Sequence, residues 1–252
     1  MKDPHVKVLY YRFTSLNERH DFSRAAAWQG SLGGFDCHLA DGQLEARPQA
    51  HYANTQSARD ALDPHLRAWV LWSELKDQIR IKFEAGAARV VDGNTSAVEA
   101  EAGAASGVGI ANDATVKLGH SSYPPPSPRP LAASTLVQEL LRWVRDLRER
   151  RLPMLVTANL FQTRLLFEYG GVDRAAAALN VTPQVLRKLG ELSAKNDPDE
   201  RRKVAGPVVR LTQAEHGWIL AVLPRLTVQV AEIAAGSSPP RLTMADTALP
   251  PL

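Results

Sequence analysis

The sequence predicts an α+β protein: a small antiparallel sheet with a helix against it over residues 1–120, followed by an all-α region over residues 131–236. Two patterns along the chain predict it. In the first part, short runs rich in β-branched and aromatic side chains alternate apolar with polar positions, the period of a half-buried strand. Beyond residue 130 the apolar residues recur every three or four positions, the period of a helix. Between them lie residues 119–130, GHSSYPPPSPRP, whose prolines can neither donate to a strand ladder nor continue a helix. Residues 121–130 are therefore expected to form a linker, and residues 237–252, again proline-containing, a flexible tail.

The first strand is expected at residues 6–13 (VKVLYYRF). Residues 35–40 and 43–47 flank Asp41-Gly42, a pair that accepts the positive φ angles a two-residue type I′ turn demands, so they form a hairpin. Residues 55–75 read as a helix interrupted near Pro64, with Leu62, Leu66, Trp69, Val70 and Leu75 making an apolar stripe for the core. Trp28 and Trp72 are assigned to the core as well. Over residues 78–84, Ile79, Ile81 and Phe83 alternate with polar neighbours, giving a strand with one wet face. Residues 89–92 and 115–118 carry weaker strand signals, and residues 93–114 show no firm period.

In the second part, Ser134 is placed to cap a long amphipathic helix. Its apolar positions are Leu136, Val137, Leu140, Val144 and Leu147, opposite Arg142, Arg145, Arg148 and Arg150. Pro153 suits the first turn of a second helix running to Tyr169, where Gly170-Gly171 stops it. Two short helices follow, and Thr212 caps a last helix reaching about residue 235.

Composition bounds the function. The chain has 252 residues, 44% hydrophobic and 23% charged, values close to those of water-folded proteins. No uninterrupted apolar run approaches the ~18 residues of a spanning segment, and the N-terminus lacks a signal-length apolar core, so a cytoplasmic protein without a membrane partner is expected. The single cysteine, Cys37, can form no internal disulfide and suits a reducing compartment. With 30 Lys plus Arg against 27 Asp plus Glu the net charge is +3. Residues 131–236 hold 15 basic and 11 acidic residues, so the positive excess lies in the helical part.

The most informative segment is GGVDRAAAALNVTPQVLRKLGEL, residues 170–192. Residues 175–179 make a short helix whose alanines allow close approach of a neighbour. Asn180-Val181 turns the chain, and Thr182-Pro183 supplies a cap and a first-turn proline. In the next helix Val185, Leu186, Leu189 and Leu192 grip the first, leaving Gln184, Arg187, Lys188 and Glu191 outward. Gly170, Ala175, Ala176, Val181, Leu186, Arg187 and Lys188 stand where the Fis-type helix-turn-helix carries matching residues, and this segment resembles that family. The resemblance implies double-stranded DNA as partner, with the outward face of the second helix in the major groove. Gln and Arg have donors for base edges and Lys can neutralise phosphate. Pro183 and Val185 stand where the family often has a base-contacting and a phosphate-binding residue, which leaves Thr182, Arg187 and Lys188 to carry most of the contact. Arg201, Arg202 and Lys203, in the mixed-charge run KNDPDERRK, are candidates for further phosphate contacts.

Other chemistry finds little support in the sequence. No glycine cluster precedes a Lys-Ser or Lys-Thr pair as a phosphate-cradling loop requires. Cys37-His38 with the distant His51 lacks the spacing of a zinc site, so no metal or cofactor is expected. The segment RLTQAEH places Arg210 and His216 at a spacing similar to that of HEPN-type ribonucleases, in which such a pair handles proton transfer and phosphate charge. Arg59 and His65 share the spacing. The working reading is a DNA-binding, transcription-regulating protein whose first part senses, pairs or recruits, with homodimerisation through the Leu136 to Leu147 stripe as one option. The alternatives are a non-catalytic protein-interaction or structural protein, and a HEPN-like ribonuclease using Arg210 and His216.

Overall fold

The computed structural model describes residues 4–16, 20–92, 95–100, 118–200 and 207–246. The chain divides into two units, Met1–Pro128 and Arg129–Leu252, the first a sheet with a helix and the second all helical, which is the α+β class expected.

The first unit contains β1 (Pro4–Ser15), β2 (His20–Asp21), β3 (Trp28–Leu32), β4 (Phe35–Ala40), β5 (Gln43–Pro48), α1 (Thr55–Trp72), β6 (Ile81–Asp92), β7 (Thr95–Ala100) and β8 (Leu118–Gly119). Six strands form one sheet in the order β3-β4-β5-β1-β6-β7, every neighbour antiparallel, while β2 and β8 make a separate parallel pair. The Asp41-Gly42 turn joins β4 to β5 with φ of 49° and 71°, the two positive angles of the expected hairpin.

Strand β1 shows how a bulge sets which side chains reach the core. Val6, Leu9, Tyr11 and Phe13 all point into it, although Val6 and Leu9 are an odd number of residues apart. The register against β6 slips between Val6 and Val8, so Lys7 is the extra residue and the side-chain parity reverses there. A second slip lies opposite Tyr10, at Gly86, where a Cβ would stand 3.2 Å from the Tyr10 carbonyl oxygen.

Helix α1 starts at Asn54, whose side-chain oxygen accepts the Ser57 N–H at 2.8 Å. Ala58, Leu62, Leu66 and Trp69 bury one stripe against Leu9, Phe35, Leu39, Leu44 and Ile81. The helix runs unbroken through Pro64, contrary to expectation. Pro64 and Asp60, whose carbonyl loses its donor, are both exposed, so water can replace the missing bond. A π-helical turn, Ser73–Asp77, follows and ends at Gln78 with φ of 59°. Where two segments were expected at residues 78–84 and 89–92, one long strand, β6, runs through. Of the weak segment 115–118 only Leu118 lies within the described residues, in β8.

The proline-rich stretch is no free linker as far as Pro124. Tyr123 is buried beside Phe13, and its hydroxyl accepts the Gly42 N–H at 3.0 Å. The Trp69 indole N–H donates to the Pro124 carbonyl at 2.8 Å, and the Ala26 N–H donates to Ser121. Residues 118–124 thus form a strap across the first unit. Its start is held by His20 and His120, whose ring nitrogens lie 2.6 Å apart, with His120 stacked on Phe22. Burial first, and the neighbouring His120 second, push the His20 pKa down. A folded-state value below the unfolded one gives stability that is present above the unfolded value, about 6.5, and is lost as pH falls through the lower folded one. The urea midpoint of the protein is therefore expected to drop below about pH 6.5, and to drop less in His20→Asn. An identical pH profile in the variant would contradict this.

The second unit comprises α2 (Thr135–Arg148), α3 (Met154–Tyr169), α4 (Val172–Ala178), α5 (Pro183–Ser193) and α6 (Gln213–Ala234). Ser134 caps α2 as expected, and Thr212 caps α6 in a reciprocal box with Glu215. Leu136, Val137, Leu140, Val144 and Leu147 are all buried where α2 packs against α3 and α6, so this stripe is interior and not a pairing surface. Helix α6 amends the expectation about membranes: it has 22 residues and holds an 18-residue window of mean hydropathy 1.3, so by length and composition it is long and apolar enough to span one. More than half of that window is buried, including Trp218, Ile219, Val222, Leu223, Leu226 and Val230, and a helix enclosed by neighbours is apolar most of the way round for that reason.

Candidate nucleic-acid interface

Two glycines in series end α3 and start α4. Gly170 has φ of 76° and Gly171 of 114°, and both N–H groups donate to the Leu166 carbonyl, so the chain reverses at a point only glycine occupies without strain. In α4 the faces of Ala175 and Ala176 are buried, and α4 and α5 both pack on α3. Asn180, at φ of 49°, makes the turn, and Val181 is buried beneath it.

Helix α5 then begins with Pro183 in its first turn. Val185, Leu186, Leu189 and Leu192 are fully buried. Across the helix, Gln184, Arg187 and Glu191 are exposed and Lys188 is half-buried. Small residues bring the helices close: a Cβ on Gly190 would collide with the Gln162 side chain of α3, whose amide donates to the Leu186 carbonyl at 3.4 Å.

The exposed cations are tied to carboxylates. The Arg187 guanidinium donates to Asp173 of α4 at 3.0 Å, with side chains 61% and 78% exposed, and the Lys188 ammonium meets Glu191 at 3.0 Å. Pairs this exposed hold little energy, ~0–1 kcal/mol, and a polyanion can displace their carboxylates. Over residues 172–195 four basic residues face two acidic ones. Lys195, at the end of α5, is part of the framework: it donates to both oxygens of Glu215 at 2.7 Å and locks α5 to the start of α6. Burial opposes the Glu215 charge, but Lys195 and the Thr212 N–H outweigh it and hold the carboxyl below its usual range.

Of the residues assigned from sequence, Gln184, Arg187 and Lys188 share one face of α5. Thr182 does not join them. Its hydroxyl oxygen is enclosed, makes no side-chain cap bond, and so is removed from solvent. Arg201, Arg202 and Lys203 lie outside the described residues; on either side of them, Asp197 accepts the Leu211 N–H at 2.8 Å and the Asn196 carbonyl accepts that of Val209. Arg210 stands 3.8 Å from Asp199, and His216, in the first turn of α6, has its Nδ1 3.0 Å from the Thr212 carbonyl.

Sequence reasoning missed the cover of the turn. Residues 237–246, expected to be flexible, are fastened to the helices at Pro239 and Leu242, which are buried. Leu242 is buried and bridges Val181, and the Gln229 amide, 5% exposed on α6, donates to the carbonyls of Leu179 and Pro240 at 3.2 and 2.9 Å. A lone Gln in an apolar helix and a lone Leu after two prolines were the available signals.

In the first unit, a groove of about 440 Å³ lies along β3, β4 and β5, lined by Gln29, Asp36, Cys37, His38, Glu45 and Arg47. Burial, helped by the Asp36 charge, pushes the Cys37 thiol up to about 12, which keeps it protonated and unreactive. No protein-family model, curated protein or solved structure matches this chain.

Proposed function

We propose that the second unit binds double-stranded DNA by laying the exposed face of α5 in the major groove, as part of a regulatory protein. The observation that carries this reading is the division of α5. One face is fully buried on α3 and α4, while Gln184, Arg187 and Lys188, donors suited to base edges and phosphates, keep access to solvent although a long helix follows them in the chain. The likeness of residues 170–193 to the Fis-type motif supports it, and so does the positive excess of the helical part. Pairing on two half-sites fits such a protein, through a surface other than the buried α2 stripe. The first unit serves sensing, pairing or recruitment in this reading. The cytoplasm is the matching compartment, in keeping with a single protonated cysteine.

The test is duplex binding by the full chain and by the double variant Arg187→Ala, Lys188→Ala. Weaker binding by a folded variant supports the reading, and equal binding rejects it. Phe167, 83% exposed on α3, favours a second reading as a protein-interaction module, under which both cations are dispensable.

A further inference from the structure

The C-terminal segment is attached to the part of the second unit where a groove-binding helix would begin. The Leu242 N–H donates to the Asn180 carbonyl at 3.0 Å and the Leu242 carbonyl accepts the Thr182 N–H at 2.9 Å, so the chain adds a short strand beside the residue that caps α5. Side chains fasten it further. The Asn180 amide donates to the Pro239 carbonyl at 2.8 Å, and Gln229 holds the turn and the Pro240 carbonyl together from within. Leu242 faces inward, and in an extended segment its neighbour Arg241 faces the other way and is exposed. The negative charge that follows is turned into its own loop, where Asp246 accepts from the Thr243 hydroxyl at 2.6 Å and from its N–H at 2.9 Å.

We propose that this strand is part of the DNA interface and that Arg241 binds a backbone phosphate. The inference rests on the reading that α5 enters the major groove. Dimensions decide for phosphate over base. An α-helix with its side chains is ~10–12 Å across and nearly fills a major groove ~12 Å wide. A cation carried about one strand spacing, ~4.8 Å, to the side of the helix start therefore meets the wall of the groove, which is phosphate, and not its floor. The hydrogen bonds at Pro239, Pro240 and Leu242 hold the backbone on both sides of Arg241 in place before DNA arrives, which lowers the backbone share of the ordering cost of the contact.

The experiment measures binding of the full chain to a fluorescent duplex across a salt series, for wild type, Arg241→Ala and Arg241→Lys. The expected result is weaker binding by Arg241→Ala to every duplex sequence alike, with the slope of log affinity against log salt shallower by about 0.9, and a slope near wild type for Arg241→Lys. A wild type that binds while Arg241→Ala keeps its affinity and slope overturns the assignment of Arg241 and leaves the α5 reading standing. A folded wild type that binds no duplex at low salt overturns both.

Discussion

Replacing Trp69 with Ala is expected to cost about 4 kcal/mol, a large share of the ~5–15 kcal/mol that holds an ordinary domain folded. The side chain is fully buried, its ring 4.7 Å from that of Trp28 and 5.1 Å from that of Phe83. It joins three parts of the first unit: helix α1, the sheet, and the strap that it reaches through the indole N–H to the Pro124 carbonyl. Two losses combine in the variant, the cavity left by the ring and a carbonyl without its donor. Trp69→Phe separates them, keeping most of the volume and losing the bond, at ~1–2 kcal/mol. Urea titrations followed by circular dichroism give both values. A cost below about 1.5 kcal/mol for Trp69→Ala would mean that helix, sheet and strap do not meet at this ring.

Adjacent residues in α5 are expected to behave in opposite ways. Leu186 is fully buried between α5 and α3, so Leu186→Ala should destabilise the protein by about 3 kcal/mol through lost contact and residual cavity. Arg187, 61% exposed and paired only at the surface, should change stability by less than about 0.5 kcal/mol when made Ala. Thermal unfolding of both variants measures the contrast. Similar costs at the two positions would contradict the division of α5 into a gripping and a free face, and with it the basis of the proposed function.

Much of this architecture was legible in the sequence because it follows from local rules. Asp41-Gly42 specifies a turn through backbone sterics, Gly170-Gly171 specifies a helix stop, and Ser134 and Thr212 announce caps by their side-chain chemistry. The spacing of Val185, Leu186, Leu189 and Leu192 placed the buried face of α5 and hence its exposed one. What escaped was set by long-range packing. Strand β3, WQGSL, is mostly exposed and lacks an alternating pattern, so only its pairing with β4 defines it. Pro64 marks a helix break by local rules, yet the solvent on that face removes the penalty. The strap and the C-terminal strand are read as loose from their prolines, whereas Tyr123 and Leu242 each find a buried place supplied by distant residues. In the candidate interface the cations were legible, but Arg187's partner Asp173, the enclosed Thr182 hydroxyl and the flanking Arg241 depend on how helices and tail meet.

The central claim, that the exposed face of α5 meets DNA, is tested most directly by the salt dependence of binding. Fluorescence anisotropy of the full chain with a labelled random duplex would be followed from low to physiological salt, for wild type and for Arg187→Ala, Lys188→Ala. Wild-type affinity is expected to fall steeply with salt, and the variant, still folded, to bind more weakly with a slope shallower by about 0.9 for the phosphate contact of Lys188, or about 1.8 where Arg187 meets a phosphate as well. Equal affinity and slope for the two proteins, or no binding by folded wild type at low salt, would contradict it.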